Sequence, residues 1–140
     1  MNVLNEYSQL KEVAIRSPLS SFIDEDKLSR EWDALRFHSK PDLKEATVEY
    51  DYFRKLLQDD GISIIDLPSS KLLTIDSIYT RDSLVISKHG LILCNMGRSS
   101  RTPEAKENFN TLESQGYKIA GQIYAPGTLE GGDFIWIDDN

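Results

Sequence analysis

Ser83-Leu84-Val85-Ile86-Ser87-Lys88-His89-Gly90-Leu91-Ile92-Leu93-Cys94 is the stretch on which the fold turns. Two short apolar runs, 83–87 and 91–94, flank the turn signal Lys88-His89-Gly90 and read as a β-hairpin. On its C-terminal side, Pro103 opens a helix with Ala105, Phe109 and Leu112 on one face, and Gly116 ends it. Tyr117-Lys118-Ile119-Ala120 begins a further strand. Pro126-Gly127 then turns the chain into Thr128-Leu129-Glu130-Gly131-Gly132-Asp133 and a last strand at 134–137.

Toward the N-terminus the same alternation returns. Ile62 to Leu67 is a β-rich run closed by Pro68. Before it, Leu43, Ala46, Tyr50, Phe53 and Leu57 recur at spacings of three and four, one face of a helix with Pro41 in its first turn and Gly61 past its end. Leu10 to Pro18 reads as a first strand, and the acidic stretch 19–40 as a loop with a short helix. The order is strand, helix, strand, hairpin, helix, strand, loop, strand, which makes an α/β fold. The unit at 83–120 resembles in pattern what 10–67 offers in looser form, a repeated ββαβ-like module. Pattern alone leaves a doubly wound parallel sheet and other arrangements open.

At 140 residues the chain has the size of one ordinary domain. Sixteen basic against twenty-three acidic residues give a net charge of −7, which argues against a nucleic-acid binder and against docking on anionic lipid. The single cysteine excludes an internal disulfide framework and a cysteine-clustered zinc site, and fits a reducing compartment. No basic segment leads into an apolar run at the N-terminus, and no stretch nears about 18 apolar residues. The expectation is a soluble, cytoplasmic protein with no membrane span.

Three loops carry more polar residues than a plain fold needs: Asp76-Ser77-Ile78-Tyr79-Thr80-Arg81-Asp82, Gly97-Arg98-Ser99-Ser100-Arg101-Thr102-Pro103-Glu104, and Gly127 to Asp133. Asp76, Asp82 and Glu130 supply negative charge, and a guanidinium, planar and always charged, matches carboxylates bidentately. Arg98 or Arg101 would then hold a carboxylate at the other end of an arginine-like ligand. Plainer readings stand beside this one. Gly131-Gly132-Asp133 reads equally as a turn, Arg81-Asp82 as a structural ion pair, and Arg98, Arg101 and Glu104 as a solvated helix entrance. His38 and His89 stand alone. Cys94 closes an apolar run, where buried, inert cysteines are the norm, and reads as core. No dinucleotide or phosphate-loop glycine motif occurs.

In this order the segments resemble the arginine deiminase and dimethylarginine dimethylaminohydrolase family of guanidino-modifying enzymes. Leu10 to Pro18 resembles its first strand, 76–82 its aspartate loop, 97–104 its substrate-carboxylate loop and 129–133 its Glu-Gly-Gly-Asp signature. The resemblance implies an α/β propeller, the pentein fold, of ββαβ modules about a pseudo-fivefold axis, here only part of the ring. It implies a cysteine thiolate that attacks the guanidinium carbon, a thiouronium intermediate hydrolysed by water, and a histidine as general acid and base. Asp82 and catalytic Glu130 would grip the guanidinium, Asp76 would lie in the same pocket, and Arg101 would bind the substrate carboxylate. In some relatives a glutamate stands where this chain has Arg81. No metal or cofactor is implied. The substrate would be arginine or dimethylarginine.

The family's histidine and nucleophilic cysteine lie beyond Glu-Gly-Gly-Asp, and none of His38, His89 and Cys94 matches them. Residues 1–140 are therefore expected to be the N-terminal half of one guanidino-modifying domain, inactive by itself. Residues 134–140 read as one strand of a hairpin. An incomplete ring leaves an open edge that favours a homo-oligomer. The other readings are an amidinotransferase of the same family, or a catalytically inactive α/β domain for binding or assembly.

Overall fold

The structure, a computed structural model, describes residues 5–137. Its contacts divide the chain into two compact units, 10–79 and 80–137, the second joined by residues 5–9.

The first unit is a parallel pair bridged by helices. Strand β1 (Glu12–Ile15) pairs in parallel with β2 (Ser63–Asp66), Glu12 opposite Ser63 and Ile15 opposite Asp66. Between them run α1 (Pro18–Ser21), α2 (Glu25–Glu31) and α3 (Leu43–Asp59). Each begins where a side chain caps it: Ser17 accepts from the Ser20 N–H, Asp24 from Lys27 and Asp42 from Glu45. Capping by Asp42 places Pro41 before the helix, and not in its first turn as the sequence suggests. The core is Phe22, Leu28 and Ile75, with Trp32, Leu35, Phe37, Leu43, Ala46 and Ile78 against it. Phe53, expected on the packed face, is 47% exposed. It lies 300° beyond Tyr50 around the helix, at the margin of the contact.

Lys27 is buried and donates to the carbonyls of Ser21 (2.9 Å) and Leu73 (2.7 Å). Desolvation lowers its pKa, so the two carbonyls hold an ammonium against a burial penalty.

The second unit is the expected module. Strand β3 (Leu84–Ser87) runs antiparallel to β4 (Gly90–Leu93), and β4 runs parallel to β5 (Ile119–Gln122) after helix α4 (Glu104–Ser114). The hairpin closes through Lys88-His89. Gly90 has φ +132°, and a Cβ there would strike the carbonyl of Lys118, the residue before β5, so glycine lets the strands meet. Val85, Cys94 and Met96 form a cluster with Ile92, Leu129 and Phe134.

Both long helices end alike. Gly61 (φ +74°) donates to Gln58 and Ile62 to Leu57; Gly116 (φ +91°) donates to Glu113 and Tyr117 to Leu112. These are Schellman closures with glycine in the left-handed region. Because the Tyr117 N–H serves the helix, β5 begins two residues later than the sequence suggests.

The last expected strand does not form among the described residues; 138–140 lie outside them. After a 3-10 turn at Gly131–Asp133, Trp136 donates its indole N–H to the Ile86 carbonyl on β3 (2.8 Å), with Phe134 edge-on to Trp136. A side-chain donor thus does at this edge what a ladder would have done.

Ile23 has φ +65°, a left-handed conformation that costs a β-branched residue about 1–2 kcal/mol. Ile23→Asn is expected to raise the free energy of unfolding in urea by about 0.5 kcal/mol, since asparagine tolerates this region and the relief is partly offset by apolar surface lost from a side chain 39% exposed.

Candidate functional site

The site grows from the 3-10 turn Thr80–Ser83, which delivers Asp82 at the entrance to β3. Ser83 is wholly buried; its hydroxyl donates to the Thr80 carbonyl (3.1 Å) and accepts from Asn108 Nδ2 of α4 (2.8 Å). The turn is therefore fixed from beneath.

Arg101 reaches Asp82 from the loop before α4. Its Nη1 donates to Asp82 Oδ2 at 2.9 Å, while Nε and Nη2 donate to Oε1 and Oε2 of Glu104, both at 2.8 Å. Arg101 is 6% exposed and Glu104 0%. Burial would lower the pKa of Arg101, but its bonds to Glu104 and Asp82 outweigh that and raise it, so the guanidinium stays charged. One expectation changes here. A buried pair is not a solvated helix entrance. The bonds to Glu104 and Asp82 take three of the five guanidinium N–H groups of Arg101. Arg98, in the same loop, is exposed.

Glu130 comes from the opposite side. Leu129 N–H donates to the Asn95 carbonyl (3.0 Å), and Asn95 Nδ2 to the Gly127 carbonyl (2.6 Å), which binds the 127–130 loop to the exit of β4. The half-buried Glu130 then accepts the Gly97 N–H on Oε1 at 3.1 Å. Gly131 packs on the aspartate turn: a Cβ there would run into the carbonyl of Arg81 and lie 2.9 Å from that of Leu84. The paired glycines are thus more than a generic turn, since one lets two loops touch.

Asp82 and Glu130 converge on one neighbour. Burial pushes the thiol of Cys94 up to about 11, and both carboxylates add to the rise. Cys94 is 5% exposed and protonated at neutral pH, as its reading as core requires. Arg81 is exposed, with Nη2 within 3.3 Å of the Phe134 carbonyl and 3.5 Å of Glu6. Asp76 belongs to the first unit, 5% exposed in the 3-10 turn Ile75–Ile78, whose Ser77 neighbour bonds Ser21. Glu104, Ser83 and Asn108 were missed as site-building residues. For Glu104 and Asn108 the signal was spacing, because they lie four apart and share a face of α4. Among the described residues no cluster of acidic, histidine or cysteine side chains could hold a metal, and no helix is long and apolar enough to cross a membrane.

The ββαβ module is that of an α/β propeller, the pentein fold. The chain belongs to the dimethylarginine dimethylaminohydrolase family: residues 24–140 match the family described as N,N dimethylarginine dimethylhydrolase, eukaryotic. It is 25% identical over 130 residues to the N(G),N(G)-dimethylarginine dimethylaminohydrolase of Pseudomonas aeruginosa, covering 93% of this chain and 48% of that protein. The chain therefore spans about half the length of this curated relative. A cysteine-to-serine variant of the Pseudomonas aeruginosa enzyme, complexed with citrulline, superposes with a TM-score of 0.73 at 24% identity, over 93% of this chain and 48% of that one. The N-terminal domain of a cyanobacterial arginine dihydrolase gives 0.67 at 10% identity, over 88% and 43%. These structures show the shared fold.

Alkylation of Cys94 by iodoacetamide is expected to rise with pH toward a midpoint near 11, against an ordinary value of 9.0 in the unfolded chain. Asp82→Asn should move that midpoint down, because it removes a neighbouring negative charge. Glu104→Ala leaves a buried guanidinium short of its bidentate partner and is expected to cost about 3 kcal/mol in urea unfolding.

Proposed function

We propose that this chain is the substrate-gripping, N-terminal half of a single pentein domain in a cysteine-dependent hydrolase of methylated arginine. The observation that carries this reading is the contact of the Glu130–Gly132 loop with the Asp82 turn, so close that a Cβ on Gly132 would sit 2.9 Å from Asp82 Oδ1, in a chain of the dimethylarginine dimethylaminohydrolase family. Two carboxylates fix the plane of a guanidinium and hold its carbon for attack from above that plane, which lowers the barrier through positioning. The guanidinium carbon is a poor electrophile, since resonance spreads its charge. A thiolate adds there, dimethylamine leaves with a proton, and water cleaves the thiouronium to citrulline and free thiol. Citrulline is also the compound bound in the Pseudomonas aeruginosa structure.

Cys94 is not that thiolate. A thiol raised to about 11 beside two carboxylates is nearly all protonated at neutral pH and faces the wrong charge. The nucleophile and the histidine are expected beyond Glu130, outside residues 1–140. Arg98, exposed in the loop that also carries Arg101, meets the substrate carboxylate. The family match favours hydrolysis over amidino transfer. Residues 1–140 alone bind without turnover.

The full product of the gene is expected to release citrulline and dimethylamine from dimethylarginine, and its Cys94→Ala variant to do so at an unchanged rate. The 140-residue chain should release none. A folded full-length protein that yields no citrulline from dimethylarginine or arginine, or activity of the short chain that vanishes in Cys94→Ala, overturns the reading.

A further inference from the structure

We propose that Asp82 and Glu130 each present a single oxygen to the ligand, and that Gly132 is the specificity-determining position that keeps the Asp82 oxygen open. The inference rests on the guanidino reading above and adds how that group is read.

Each carboxylate has one oxygen that already accepts a protein donor, which leaves the other as the more open of its acceptors. Asp82 Oδ2 accepts from Arg101 Nη1 at 2.9 Å, and Arg101 cannot swing away, because buried Glu104 clamps its other edge through two bonds of 2.8 Å. Glu130 Oε1 accepts the Gly97 N–H at 3.1 Å. The oxygens left for a ligand are Oδ1 and Oε2. Oδ1 faces Gly132, where a Cβ would sit 2.9 Å away, and Asp82 is the sole side chain that Cβ would approach within 4 Å.

The two adjacent glycines therefore have different reasons. A Cβ on Gly131 would collide with the backbone of Arg81 and Leu84, so that glycine serves packing. Gly132 is exposed, its φ lies outside the left-handed region, and its missing Cβ spares only the carboxylate. Alanine at 132 should fold as the parent does and cover Oδ1.

One oxygen on each side changes what is recognised. A carboxylate with both oxygens available takes a guanidinium side-on through two N–H groups. Two carboxylates with one more open oxygen each take one N–H from each of two different nitrogens. A guanidinium dimethylated on one terminal nitrogen keeps two N–H-bearing nitrogens, the internal one and the unsubstituted terminal one. It satisfies both oxygens with its methyl groups turned away. A lysine ammonium carries the same charge on one nitrogen, without the planar pair of N–H-bearing nitrogens that a guanidinium offers to two separate oxygens.

The test is an NMR titration of the 140-residue chain, following backbone amides on addition of Nω,Nω-dimethyl-L-arginine, L-arginine or L-lysine. The wild-type chain is expected to bind both guanidino compounds and not lysine. Gly132→Ala should keep the parent spectrum away from the loop and bind roughly ten- to hundredfold more weakly, the loss of one hydrogen bond to a charged group. Asp82→Asn should also lose binding, and adding Gly132→Ala to it should change nothing further, because both act on one oxygen. Gly132→Ala binding like wild type, additive losses in the double variant, lysine binding as well as dimethylarginine, or a wild-type chain that binds neither guanidino compound each overturn the inference. Citrulline release by the full-length protein judges the hydrolase reading separately: it can persist while Gly132 proves irrelevant, and be absent while the Gly132-dependent binding stands.

Discussion

The buried ion triad of Arg101 with Glu104 and Asp82 is the interaction on which the second unit depends. One cation and two carboxylates leave the triad at −1, so its internal charges are compensated while a negative site remains for a ligand. The geometry, bidentate on one edge and single on the other, is the form in which a buried guanidinium best recovers its desolvation. It joins three segments at one point: the turn before β3, the loop after β4 and the first turn of α4. Glu104 also sits where a carboxylate favours the helix dipole. The Asn108 and Ser83 contact extends the same joint one turn along the helix. Loss of the triad would loosen the hairpin, the helix and the aspartate together.

Around this joint the site is made mostly by subtraction. Where glycine stands at 131, two loops come into backbone contact, and where it stands at 132, a Cβ is kept off the Asp82 carboxylate. The loops are placed, and the carboxylates follow. A thiol beneath both carboxylates records their combined charge without taking part in it.

The hairpin at 84–93, both long helices and the existence of the strands that follow them were legible in the sequence, because each has a local cause: alternation, the helical period, a glycine stop; that those strands run parallel was not. The loops that hold Asp82 and Glu130 were legible as chemistry through residue type alone. Which partner each residue takes was not legible. Arg101 offers five N–H groups and the sequence shows acids on both sides of it; only burial decided for Glu104 and Asp82 over a ligand. Phe53 obeys the helical period and is still half out of the contact, since a helix needs only part of its apolar arc to cover a small core. At 134–137 the alternation of Phe134 and Trp136 is strand-like, yet an indole N–H satisfies the neighbouring edge instead. Each miss is a choice among neighbours that only the folded chain supplies.

The two glycine-closed helices carry one more consequence. After Gly61 the parallel strand begins two residues on, and after Gly116 three residues on, so each helix stop acts as a ruler for the strand that follows. In a strand the side chains alternate sides residue by residue. Adding or deleting one residue between the helix stop and the strand would leave the helix intact and turn the strand over, exchanging its inner and outer faces. Spacing in those short connections is therefore under tighter constraint than residue identity, and length variation in this architecture belongs in the loops that enter the helices rather than in those that leave them.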